Sequence, residues 1–146
     1  MAVKTYKKKA ISKLSTNFKS TEFDCHGSGC CSETLIDEQL VEYLQDIRDH
    51  FGKPVTVSSA YRCATHNKNV GGATGSRHMK GQAADIDIQG DMVFGRKIFE
   101  YIRDHLPFDQ LIWEHSKSGT YWVHVSFVYP DFGKNRRQVI NNLEKK

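Results

Sequence analysis

Two stretches of this chain carry residues that can do chemistry together. One is Ser76-Arg77-His78-Met79-Lys80-Gly81-Gln82-Ala83-Ala84-Asp85, and the other is Trp122-Val123-His124-Val125-Ser126. Between them they offer two imidazoles and one carboxylate: His78, Asp85 and His124. Three protein ligands of these types, with a fourth position left open, describe a catalytic zinc site. The spacing dictates how the chain must run. On one helix His78 and Asp85 would lie roughly 10 Å apart, and on one strand roughly 23 Å. Ligand atoms on a single zinc are no more than about 4 Å apart. The chain must therefore fold back between the two, and Gly81 has the conformational freedom for that turn.

The elements that position these residues follow from pattern. Ala-Ala-Asp-Ile-Asp-Ile, from Ala83 to Ile88, reads as a buried strand ended by Gly90. Phe108 to Glu114 and Tyr121 to Val128 read as a hairpin across the turn from Ser116 to Thr120. Pro54 to Ser59 is a further strand, with Val55 and Val57 alternating. Ile36-Asp37-Glu38-Gln39 opens a helix whose Leu40, Val41, Leu44, Ile47 and Phe51 recur at three- and four-residue steps. Gly52 and Pro54 stop it. Asp91 caps a second long helix through His105, with Phe94, Ile98, Ile102 and Leu106 as its buried face. Residues 64–81 are loop-rich. Residues 1–20 form a basic, irregular lead-in that has room for a short edge strand, and residues 131–146 a basic, weakly patterned tail. The fold class expected is α+β: a small, mostly antiparallel sheet carrying the site, with two main helices on one face.

The pattern His-x-x-Gly-x-Ala-Ala-Asp, followed by Trp-Val-His-Val-Ser, resembles the zinc D-Ala-D-Ala carboxypeptidase family, which includes phage L-alanyl-D-glutamate endolysins. Further matching blocks are Ser58-Ser59-Ala60-Tyr61-Arg62, His66-Asn67 with Val70-Gly71-Gly72, Phe108-Asp109-Gln110-Leu111-Ile112-Trp113-Glu114, and Gly133-Lys134-Asn135-Arg136. They occur in the family's order from about Phe18 to Val139. The resemblance implies the fold shared by hedgehog-type and D-Ala-D-Ala peptidase domains. It also implies Zn2+ as cofactor and hydrolysis of a peptidoglycan stem-peptide bond. By the same resemblance, Arg62 stabilises an oxyanion or holds a substrate carbonyl or carboxylate, a task suited to a guanidinium that forks two donors. Ser76 resembles a substrate-binding serine; a plain turn residue is the competing reading.

Glu114 is the candidate general base and acid. A hairpin turning near Lys117-Ser118 sets Glu114 close to opposite Trp122, within one or two residues of register, and opposed residues point to the same side of a sheet. Glu114 then shares a face with His124. Many relatives carry an acidic residue three positions before the last histidine; here that position is Tyr121. Asp109 and His115 are alternatives that alternation turns away from Glu114. Asp87 shares a face with Asp85 and is either a partner orienting a histidine or a solvent-exposed carboxylate. Trp113 and Trp122 read as core or cleft wall, and His26, His50, His66 and His105 as structural or surface residues.

The 146 residues, 38% hydrophobic and 26% charged, fit a single globular domain of 1–146. No apolar run approaches a membrane span. The basic N-terminus lacks an apolar segment after it, so no signal peptide is expected. Synthesis in the cytoplasm is anticipated, with action on the cell wall after release or as part of a virion. The net charge of +4 reads mainly as solvated ends, and no motif supports nucleic-acid binding. A monomer is expected, with the peptidoglycan stem peptide as partner. Cys25, Cys30, Cys31 and Cys63 leave three readings open: a second, structural metal site, disulfides formed in an oxidising space, or reduced thiols. Two functional readings remain: a stem-peptide hydrolase of endolysin or D-Ala-D-Ala carboxypeptidase type, and a non-catalytic, zinc-stabilised wall-binding or phage tail module.

Overall fold

Side-chain alternation divides the main sheet into a core face and a site face. The computed structural model describes residues 2–142. Its strands are β1 (Val3–Lys7), β2 (Glu33–Asp37), β3 (Thr56–Ser59), β4 (Ala83–Asp87), β5 (Gln110–His115), β6 (Tyr121–Ser126) and β7 (Gln138–Asn141). The helices are α1 (Glu38–Phe51), α2 (Ala64–Asn69) and α3 (Met92–His105), and short 3-10 turns occupy Ser20–Phe23, Arg77–Lys80 and Phe132–Lys134. Five strands form one sheet in the order β3-β4-β6-β5-β7, and β1 pairs with β2 apart from it. All pairings are antiparallel except β5 with β7. The architecture is the α+β arrangement expected, mostly antiparallel with two main helices.

The core face of the sheet presents Ala84 and Ile86 of β4, Leu111 and Trp113 of β5, and Val123 and Val125 of β6, all buried. Leu40, Leu44 and Ile47 of α1 and Ile98, Phe99 and Ile102 of α3 join them in one cluster. Each of the larger aliphatic side chains among them contributes about 1.5–3 kcal/mol by leaving water. Both helices start on aspartate caps, Asp37 accepting from the Gln39 N–H and Asp91 from the Phe94 N–H, each at 2.9 Å. Helix α1 closes on Gly52 in the left-handed region. Residues Asp85, Ile112 and His124 lie at the alternate positions, on the opposite face.

The structure departs from the pattern reading at the edges. Ile36 belongs to β2 and not to the helix, which begins one residue after Asp37. The short edge strand anticipated in the lead-in is present: β1 pairs in register with β2, from Val3 with Asp37 to Lys7 with Glu33. Phe94 and Leu106 sit at the margin of the α3 face, while Gly95 and Phe99 are buried. The tail is structured: β7 adds a parallel edge strand, Gln110 pairing with Gln138 and Ile112 with Ile140. An exposed edge strand with only Val139 and Ile140 as large apolar residues has a weak signature. Docking comes instead from polar anchors. Arg136 binds Asp109 through two guanidinium nitrogens, and Asn135 accepts from the Val128 N–H. Residues 143–146 of the predicted tail lie outside the described residues.

Candidate metal centre and cleft

Central strands β4 and β6 set Asp85 and His124 directly opposite each other. His124 Nδ1 is 2.9 Å from Asp85 Oδ1, and His78 Nε2 is 3.4 Å from the same oxygen. One ligand atom from each residue falls within 4.8 Å of the other two. His78 comes from the 3-10 turn Arg77–Lys80, capped by Ser76, whose hydroxyl oxygen accepts from the His78 N–H. The turn ends on Gly81 at φ 72°, ψ 20°. A Cβ there would also lie 2.5 Å from the Leu35 carbonyl oxygen, so both conformation and space require glycine. This is the fold-back that the His78–Asp85 spacing demanded.

The His78 tautomer follows from its partner. Nδ1 lies 2.6 Å from the Ala60 carbonyl oxygen, which can only accept, so Nδ1 carries the proton and Nε2 faces Asp85. In metal sites a hydrogen bond of this kind orients a ligating imidazole. Asp87 does not fill that role: its Oδ1 accepts from the Gln89 N–H at the end of β4. Burial opposes the charged form of Asp85, but the neighbouring His124 and His78 imidazoles outweigh it and hold the carboxyl far below the ordinary carboxylate range. Two imidazole nitrogens and one ionised carboxylate converge on one point, and this donor set fits zinc.

An open cleft of about 580 Å³ extends from this point. Its lining includes Arg62, Ser76, Arg77, Asp109, Lys134 and Arg136 together with His78 and His124. Arg62 is half-buried, and its backbone N–H donates to the His78 carbonyl at 3.1 Å. Its Nε is buried and finds no acceptor among the described residues. Burial lowers the Arg62 pKa, yet a guanidinium stays charged in proteins. The cleft therefore holds a cation with an unused donor beside the candidate metal ligands.

Glu114 pairs with Trp122 and Ile112 with His124, the register expected from the hairpin. Glu114 thus stands diagonally across from His124 on the site face. Its carboxylate, however, accepts from Asn142 Nδ2 at 2.9 Å and from the His115 N–H at 3.1 Å, and it is not among the cleft-lining residues. Asp109 corrects one expectation. It lines the cleft, because it precedes β5 and escapes that strand's alternation. Its carboxylate is committed to Arg136. His115 is exposed beside the turn, 3.2 Å from the Ser116 carbonyl oxygen. Trp113 is a core residue and Trp122 is half-buried. Pattern reading missed the Ala60 carbonyl and the cleft roles of Arg77, Lys134 and Arg136. Lys134 and Arg136 lie in the Gly133–Arg136 block, the one signal that pointed to them.

A two-histidine, one-aspartate centre at the floor of an open cleft defines a candidate mononuclear metal site of hydrolytic type. Residues 16–126 match the Peptidase M15 family, and the chain belongs to that family. A 44-residue stretch is 54% identical to the zinc D-Ala-D-Ala carboxypeptidase of Streptomyces albus G. That stretch covers 30% of this chain and 17% of the carboxypeptidase. Among the described residues, no helix is long and apolar enough to cross a membrane.

Proposed function

We propose that this chain is a zinc peptidase that hydrolyses a stem-peptide bond of peptidoglycan. The observation that carries the reading is the convergence of His78, Asp85 and His124 at a cleft into which Arg62 brings an unpaired, buried Nε–H. In this reading His78 Nε2, Asp85 and His124 Nδ1 hold the ion. Zinc, when bound, supplies Lewis acidity toward the scissile carbonyl and toward water. Arg62 forks its donors toward the oxygen on which negative charge builds, a contribution of about 10²–10³ in rate for donors of this kind. Ser76 holds the His78 turn through its oxygen and keeps its own O–H to donate to substrate. Arg77, Lys134 and Arg136 give the cleft a positive bias that suits a carboxylate-bearing stem peptide.

Glu114 is assigned the proton transfer. It must release Asn142 and turn toward His124, a diagonal neighbour within reach of a long side chain across an antiparallel pair. Endopeptidase cleavage near L-Ala-D-Glu is favoured, with D-Ala-D-Ala carboxypeptidase action second. The protein is read as a monomer, made in the cytoplasm and acting on the wall after release or as part of a virion. Incubation with purified sacculi, followed by mass spectrometry of the released muropeptides, tests the reading. New stem-peptide termini with the wild type and none with His124→Ala are expected, and the termini name the bond. A non-catalytic wall-binding module is favoured by one feature: Tyr121 and the engaged Glu114 leave no free carboxylate in the cleft among the described residues. Wall binding without cleavage by the zinc-loaded protein would select it.

A further inference from the structure

We propose that Cys25, Cys30, Cys31 and Cys63 hold a second zinc ion, structural in role. One sulfur from each residue lies within 4.8 Å of the other three. Zinc binds thiolates at about 2.3 Å in a tetrahedron, which puts sulfurs about 3.8 Å apart along each edge. The pairs Cys25–Cys30, Cys25–Cys63 and Cys30–Cys31 stand at 3.8, 3.8 and 3.9 Å, with Cys30–Cys63 nearer at 3.0 Å. Cys30 is close to all three of the others. The four sulfurs thus surround one point, whereas two disulfides would sort them into two separate pairs.

The surroundings suit a thiolate cluster. Lys8 Nζ donates to Cys31 Sγ at 3.7 Å and to the Gly27 carbonyl at 2.9 Å, placing a cation against a group that would carry net negative charge. The His66 N–H donates to Cys63 Sγ at 3.4 Å. Gly27 permits the close approach, since a Cβ there would run into Cys30 Sγ and the His66 side chain. Residues 24–32 contain no helix or strand, and only single hydrogen bonds, such as His26 Nε2 to the Ser58 carbonyl at 2.8 Å, tie this loop to the segment before α2. A metal crosslink supplies a further restraint.

The crosslink also reaches the cleft. Cys63 follows Arg62, whose N–H binds the His78 carbonyl, and the Ala60 carbonyl orients the His78 ring. The Tyr61 N–H donates to the Phe23 carbonyl, two residues before Cys25. A filled cysteine site thereby clamps the segment 60–63 that presents Arg62 and fixes His78. The proposal holds whether or not the histidine centre is catalytic.

The test is metal content of the full chain purified under reducing conditions, with cobalt reconstitution as a second readout. About two zincs per chain are expected in the wild type and one in His124→Ala. The cobalt form of His124→Ala should keep intense sulfur-to-metal charge-transfer bands, and Cys63→Ser should lose them. The wild type and His124→Ala decide the matter even if the cysteine variant fails to fold. One zinc in the wild type and none in His124→Ala would overturn the proposal. So would a native mass showing two disulfides, or full alkylation of all four thiols in the zinc-loaded protein.

Discussion

Asp85 and His124 face each other as a cross-strand pair on the two strands β4 and β6, with Nδ1 and Oδ1 2.9 Å apart. Both candidate ligands therefore rest on regular, mutually hydrogen-bonded backbone, and of the three only His78 depends on a turn. Asp85→Asn removes the anionic donor while keeping the shape. Loss of even an outer-sphere partner commonly costs 10–100-fold in metal affinity. Zinc affinity at this centre should fall by more than about 100-fold, read by competition with a chromogenic chelator.

Arg62 offers a second test. Arg62→Ala should lower kcat/KM on a stem-peptide substrate by about 10²–10³, in the range found for single oxyanion donors. Arg62→Lys should restore only a small part, because an ammonium lacks the planar fork. Unchanged metal content in both variants would separate loss of a donor from loss of the centre.

Proton transfer by Glu114 predicts a fall in kcat of about 10²–10⁴ for Glu114→Gln, with zinc retained. Asn142→Ala frees the Glu114 carboxylate from the contact that holds it away from the cleft, and this change should preserve or raise kcat. Wall hydrolysis by Glu114→Gln at the wild-type rate would remove Glu114 from the mechanism.

The ion pair of Asp109 with Arg136 docks the tail onto the sheet. The Arg136 side-chain hydrogen bonds outweigh burial and hold the Asp109 carboxyl below its ordinary value. A depressed folded value stabilises the protein above the unfolded pKa of about 3.9 and loses that effect as pH falls through the folded value. Arg136 is largely exposed, so Asp109→Asn should cost only about 1 kcal/mol at neutral pH. Urea unfolding should show the same gap between variant and wild type at pH 7 and pH 5. The gap should close only in stronger acid.

Gly81→Ala probes the fold-back itself. The left-handed backbone and the nearby Leu35 carbonyl both oppose a Cβ. A stability loss of more than about 1 kcal/mol is expected, together with weaker zinc binding, because the same turn carries His78.

The two long helices were legible because each has a periodic apolar face and an aspartate cap in the residues themselves. The hairpin register was legible because alternation and a short turn leave few options, and it placed Glu114 opposite Trp122 correctly. Other features leave little trace in residue type. Strand β1 interleaves lysines with exposed residues, and β7 offers only Val139 and Ile140 between polar residues, so neither shows a clear alternation. The Ala60 carbonyl that orients His78 belongs to the backbone, which any residue would supply. Which way the Glu114 carboxylate turns depends on Asn142, brought near by a parallel strand that the basic tail gave no reason to expect.

Strands β4 and β6 are interior strands of the five-stranded sheet, each paired on both sides. Their amides should exchange with solvent only on near-global opening, whereas loop-borne groups exchange through local fluctuation. Asp85 and His124 share the first fate. Arg62 and Ser76, outside the strands, share the second. On the proposed function, the segments bearing Arg62 and Ser76 can then open many times over before the two strand-borne candidate ligands are released.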